Sequence, residues 1–183
     1  MNSTKRNVLI TDLTAASVCL ALCMLLPLLT GQNRQIGSAL SLMHIPVLLC
    51  GFICSRPYYA AAVGATAPLL RFLIFGMPPL MPIGLAMCFE LAVYGIIAWI
   101  MYKMLPKKPL YIYVSLITSM LAGRAVWGIA MWLLAWLLSD VNFSWEIFMA
   151  DAFIKAVPGI ILHIVVIPVL VMALKKARFM QNP

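Results

Sequence analysis

Charge is what this chain has least of. Only 10% of its 183 residues are Asp, Glu, Lys or Arg, five of them acidic, and there are just two histidines. No Gly-x-x-x-x-Gly-Lys loop occurs, which excludes ATP hydrolysis by this chain alone. No His-x-x-x-His pair, catalytic carboxylate pair or Ser–His–Asp order is legible, so an enzyme has little to stand on and neither a metal nor any other cofactor is expected. Long polar stretches are missing as well, leaving no room for a soluble catalytic or nucleotide-binding unit. One domain over residues 1–183 is expected. What fills the chain is apolar: 64% hydrophobic residues and a mean hydropathy of +1.04. Its solvent is lipid. The formal charge of +8 would suggest nucleic acid in a soluble protein, but the basic residues flank apolar runs, which reads as topology and anionic-lipid contact with no nucleic-acid partner.

Apolar runs broken by Pro, Gly and charge predict an all-α fold of six transmembrane helices in one bundle. They fall near 8–29, 40–54, 57–75, 80–103, 110–138 and 146–174. The first follows Lys5 and Arg6, exceeds the apolar core of a signal peptide, and lacks a small-x-small cleavage site, so it reads as a retained helix. The second is short and is expected to lie obliquely or beneath a loop. Orientation follows from loop charge. One side receives Lys5, Arg6, Arg56, Lys103, Lys107, Lys108, Lys175, Lys176 and Arg178; the other has Arg34 with Asp140 and Glu146. Both termini are therefore expected in the cytoplasm.

Of the thirteen basic residues, three sit deep in apolar segments, Arg71, Arg124 and Lys155, as do the carboxylates Glu90 and Asp151. An ionisable group near the bilayer centre costs at least about 2.5–3.5 kcal/mol, so these five are expected to face one another or a wet cavity. Counting about 1.5 Å per residue places all five at or outside the midplane, a cup that opens outward. Asp151 and Lys155, at i,i+4, read either as an intrahelical ion pair or as ligand contacts. Arg71 either snorkels to the outer headgroups or enters the cup. Arg124 wants a planar partner, either Glu90 or a ligand carboxylate, and the two are compatible. Trp127 is deep enough to wall a ligand, whereas Trp132 and Trp136 suit packing or an outer aromatic belt.

His44 is a packing residue or a ligand contact, and His163, placed on the cytoplasmic half of the last span, is a packing residue. The polar loop from Thr30 to Ser38, which holds Asn33 among its amide donors, is a candidate flap over the cup. The stiff apolar Gly76–Pro82 segment is a candidate lip. The five cysteines lie in apolar segments, two pairs of them at i,i+4, and read as small packing residues.

The sequence resembles the substrate-binding S components of energy-coupling factor (ECF) transporters, which import vitamins in many bacteria. The resemblance rests on Gly37 through Gly51 (GSALSLMHIPVLLCG), on Pro68-Leu69-Leu70-Arg71 through Gly76-Met77-Pro78-Pro79, and on chain size and the six-span plan. Within the family the texture is most like the pantothenate-type S components. Membership implies a subunit of a bacterial cell membrane that captures a small vitamin from outside under its first extracellular loop. It implies partners too: a membrane coupling protein and two cytoplasmic ATPases. The family's small-residue docking surface on the first span would fall on Ala15, Cys19 and Cys23, where strict Ala-x-x-x-Ala is replaced; Ser17 and Ala21 form a second small pair. The candidate ligand-binding set is Arg124, Arg71, Glu90, Trp127, His44, Asp151, Lys155 and Asn33. A self-sufficient transporter with Glu90 or Asp151 carrying protons is the main alternative, and an intramembrane enzyme acting on lipid or isoprenoid substrates the weaker one.

Overall fold

The computed structural model describes residues 3–30, 37, 39–138, 143–177 and 179–180, and every regular element in them is helical. The helices are α1 (Ser3–Leu25), α2 (His44–Ile53), α3 (Pro57–Phe75), α4 (Leu85–Met104), α5 (Pro109–Leu137) and α6 (Val157–Lys176). Proline marks several starts. Pro57, Pro109 and Pro158 stand in the first turns of α3, α5 and α6, where a missing N–H leaves no bond unmade and the fixed φ suits the helix. Gly76 ends α3 with φ 69, a left-handed cap that only glycine adopts readily, and its N–H bonds Phe72 O at 2.8 Å.

Among the described residues, five segments are long and apolar enough to cross a membrane: Asn7–Leu29, Pro57–Phe75, Leu80–Met104, Pro109–Leu137 and Trp145–Lys176. These agree with five of the expected spans to within a few residues. The sixth, α2, is only ten residues long, and nine of them are buried. It touches α1, α3, α4 and α6, so it is a central plug enclosed by longer helices. A helix that is apolar on every face belongs inside a bundle; at about 1.5 Å per residue α2 covers only half the hydrocarbon thickness.

Absent side chains set the packing around α4. A Cβ on Gly95 would stand 2.7 Å from the Ala60 Cβ, and one on Gly64 2.5 Å from the Leu91 backbone, so α3 and α4 meet backbone to backbone. Such small-residue contact is how helices associate in lipid, where burial of apolar surface gives no advantage. The five cysteines are all buried free thiols, in keeping with their reading as packing residues.

Two apolar clusters share the interior. The larger gathers Val47, Leu48, Phe52, Leu91, Tyr94, Leu116, Met120 and Ile167 among others; the smaller gathers Ala86, Trp127, Met131, Leu134 and Ala152. Along α4 and α5 the seam between them falls at Glu90 and Arg124. Beyond the smaller cluster the chain is irregular. Leu80–Gly84 is a widened turn broken at Met81 (φ −112, ψ 138). A one-turn helix, Trp145–Met149, runs into a π turn, Ala150–Ile154, closed by Lys155 N–H on Ala150 O at 2.8 Å.

That π turn bears on the reading of Asp151 and Lys155 as an intrahelical ion pair or as ligand contacts. Asp151 and Lys155 do pair, at 2.6 Å, but their side chains are 36% and 71% exposed. The extra residue in the turn rotates them to the outer surface of the protein, away from its interior. On α1, Cys19 and Cys23 of the expected docking row are buried in the larger cluster, and Ala15 is half-buried against it. Ser17 and Ala21 lie on the exposed face, because a step of two residues turns a helix through about 200°.

Candidate functional site

Four helices deliver polar side chains to the seam. Glu90 of α4 is 1% exposed and sits at the centre. Arg124 of α5 reaches it through Nη1 at 3.1 Å, and Tyr94, one turn along α4, donates its hydroxyl to the same Oε1 at 3.0 Å. Gly123 makes room for this: its missing Cβ is where the Tyr94 ring lies. His44, the first residue of α2, presents Nε2 to Glu90 Oε1 at 3.7 Å and tilts against the Tyr94 ring, centroids 5.4 Å apart. His163 of α6 stacks on His44 at 6.0 Å.

Ser41 sets both imidazoles. Its φ of 48 bends the chain just before α2 and turns its carbonyl toward them. His44 Nδ1 lies 3.1 Å from that oxygen and His163 Nε2 3.3 Å from it. A carbonyl oxygen only accepts, so both of these ring nitrogens carry hydrogen. His44 Nε2 is thereby left to face Glu90 and the space beside it.

Among the described residues, three buried side-chain polar atoms have no hydrogen-bond partner: His44 Nε2, Arg124 Nε and Arg71 Nη1. Arg71 of α3 is 7% exposed, lies over the Phe75 ring at 5.4 Å, and stands near Cys23, whose thiol bonds the carbonyl of Met43 next to His44. Among the described residues no carboxylate pairs with Arg71. Among the described residues, then, Arg124 is paired to a carboxylate and Arg71 is not. An unmet buried donor is rare in a native protein and costs about 1–3 kcal/mol, more for a charged group.

Trp127 stands one turn beyond Arg124 and is buried under an aromatic roof. Its ring meets Phe143 edge-on at 5.9 Å and stacks on Phe148 at 6.2 Å, with Phe153 and Trp145 behind. Trp132 and Trp136 are exposed on the same helix. The structure thus brings His44, Glu90 and Arg124 together, with Trp127 one turn along α5 from Arg124, while Arg71 lies apart, near Cys23 and Phe75. It leaves Asp151 and Lys155 outside, and Asn33 lies outside the described residues. Among the described residues no three His, Cys, Asp or Glu side chains gather to hold a metal.

Sequence reasoning gives Tyr94 and Ser41 no role and reads His163 as a packing residue. The i,i+4 spacing of Glu90 and Tyr94 on one helix was a legible signal. His163 was assigned to the cytoplasmic half because counting began at residue 146. The one-turn helix and π turn take up the first residues of that segment, so His163 is only two turns into α6. Asp12 stands in the first span with no motif around it. It is 1% exposed near the lysine-rich end, where its carboxylate accepts from Ser55 N at 2.9 Å and from the Ser55 hydroxyl.

An all-helical chain with five membrane-length apolar helices, a buried sixth and polar groups from four helices meeting inside is a polytopic membrane protein with an internal polar site. Residues 11–176 match the family model for the substrate-specific component of ECF transporters, and the chain belongs to that family. It is a substrate-binding membrane subunit of an ECF importer, and the family is one of transporter components, not of enzymes. Members of this family act with a membrane coupling subunit and ATPase subunits. Comparison with curated proteins and with solved structures gives no match.

Proposed function

We propose that this chain captures a small polar vitamin or vitamin precursor bearing a carboxylate, of which pantothenate is the model, from outside a bacterial cell. Both termini are cytoplasmic in this reading, and the lysine-rich end of the bundle faces the cytoplasm. The buried Glu90–Arg124 pair carries the proposal, with the buried Arg71 of α3 as a second cation available to a ligand. A guanidinium stays charged in a protein and needs an acceptor, and a ligand carboxylate supplies one in the planar geometry it prefers. Arg124, paired to Glu90 when the site is empty, offers its free Nε to a second ligand oxygen. His44 Nε2 serves a hydroxyl or amide group, and Trp127 with its aromatic roof closes the far side. The Asp151–Lys155 pair is no part of this site. Release into the cell is driven by a coupling protein and two ATPases, and Ser17 and Ala21 on the exposed face of α1 are the small residues available for docking.

Calorimetry with pantothenate on folded parent, Arg124→Ala and Arg124→Lys proteins tests the site. Loss of a charged hydrogen-bond partner in a desolvated pocket weakens binding by about 2–5 kcal/mol, or roughly 30-fold to several thousand-fold. Arg124→Lys fails as well, since an ammonium lacks the planar fork. Equal affinity in all three proteins makes Arg124 structural and removes it from the site. Mass spectrometry of the molecule that co-purifies in mild detergent tests the ligand class separately.

A further inference from the structure

At the lysine-rich end a cleft of about 370 Å³ opens between the α4–α5 turn and the end of α6, lined by Lys107, Pro109, Ile112, Met172, Lys175 and Lys176. Lys175 Nζ donates to the Lys107 carbonyl at 2.8 Å, tying α6 to the turn. Lys107 Nζ donates to the Tyr102 carbonyl at 2.6 Å and lies 3.8 Å from the centre of the Tyr102 ring. Backbone carbonyls, then, hold these ammonium groups together. Among the described residues none of Lys107, Lys175 and Lys176 is paired with a carboxylate. Burial, followed by the charges of Lys175 and Lys103, holds Lys107 below its ordinary amine value. Each ammonium has three donors, so Lys107 and Lys175 keep donors to spare after their carbonyl bonds. The N-terminus of the 29-residue helix α5 opens at the same place and adds its partial positive charge.

The floor of the cleft narrows the choice of anion. Pro109, Ile112 and Met172 are apolar, and the surface runs on into exposed apolar rows, Leu110, Val114 and Ile117 on α5 and Val165, Val169 and Met172 on α6. A free phosphate makes no use of such rows, whereas an acyl chain lies along them. We propose that the cleft binds the headgroup phosphate of an anionic phospholipid, gripped by Lys107, Lys175 and Lys176, with its acyl chains laid along α5 and α6. The bound lipid would join the α4–α5 turn to the end of α6 from outside.

Native mass spectrometry of the detergent-purified chain, titrated with phosphatidylglycerol or phosphatidylcholine, tests this. The parent should retain phosphatidylglycerol preferentially, and 0.5 M salt should weaken that retention. The combined Lys107→Gln, Lys175→Gln, Lys176→Gln variant should bind it roughly 100-fold more weakly, at about a decade or less for each lysine. The corresponding three-arginine variant should bind within a few-fold of the parent. Arg56→Gln, a charge removed outside the cleft at the same end, should change nothing. Equal retention of the two lipids, or of phosphatidylglycerol by parent and glutamine variant, overturns the proposal. If the glutamine variant does not fold, the salt dependence of the parent decides, and salt-independent retention overturns it. Inorganic phosphate binding as tightly as the lipid assigns the cleft to a soluble anion and overturns the lipid reading.

Discussion

The two ends of this bundle handle charge in opposite ways. Around Glu90 the protein supplies the partners itself: Arg124 and Tyr94 bond one carboxylate oxygen from two helices, and His44 approaches it to 3.7 Å from a third. At the other end Lys103, Lys107, Lys175 and Lys176 meet no carboxylate among the described residues, and three of these four are exposed. The one acid there, Asp12, is buried and given over to the Ser55 turn. Position in the bilayer accounts for the contrast. A buried charge must find its counterpart within the protein or on a ligand, while a charge at the interface has water and lipid headgroups to hand. Buried charges are thus evidence of a site, and interfacial ones are evidence of orientation.

Substitutions at each end should separate these roles. The largest loss is expected from Glu90→Ala, which strands Arg124 in the interior and should cost about 3–5 kcal/mol of stability, measured by thermal unfolding in detergent. Glu90→Leu combined with Arg124→Met should recover much of that stability while ligand binding remains lost. If Glu90→Ala unfolds at the parent's temperature, the pair does not hold α4 to α5. Gly95→Val comes next: it drives a branched side chain into Ala60 and should destabilise by about 1–3 kcal/mol without touching the polar site. At the lysine-rich end, Asp12→Ala leaves the Ser55 amide and hydroxyl without their acceptor, for a loss of about 1–3 kcal/mol with ligand affinity unchanged. A change in affinity there would mean that the two ends are coupled. The smallest effect belongs to Lys155→Ala. Its exposed i,i+4 pair is worth about 0–1 kcal/mol, and both stability and affinity should stay near the parent's; a large drop in affinity would put the pair back in the site.

Much of the architecture could be read from residue order because it depends on local quantities. Run length and hydropathy locate Pro57–Phe75 and Pro109–Leu137 almost to the residue, since a proline begins each. The pairing of Glu90 with Arg124 was also legible, because two opposite charges at similar depth in neighbouring apolar helices have few other partners. The outward row of α1 was not: Ala15, Cys19 and Cys23 and the pair Ser17 and Ala21 are all small, and composition alone cannot say which row meets the core. Nor were Ser41 and His163, which touch through a hydrogen bond spanning 122 residues of chain.

Solvent, helix class and the presence of buried charge were determined by sequence alone, because transfer from water to lipid is set residue by residue. Depth, facing and partnership were decided only in the folded chain. A π turn before α6 turns Asp151 and Lys155 outward, and the same segment brings His163 into line with His44. One residue added to a helical turn rotates everything after it by about 100°. No count of apolar residues records that rotation, yet it decides which side chains line the site and which face the surroundings.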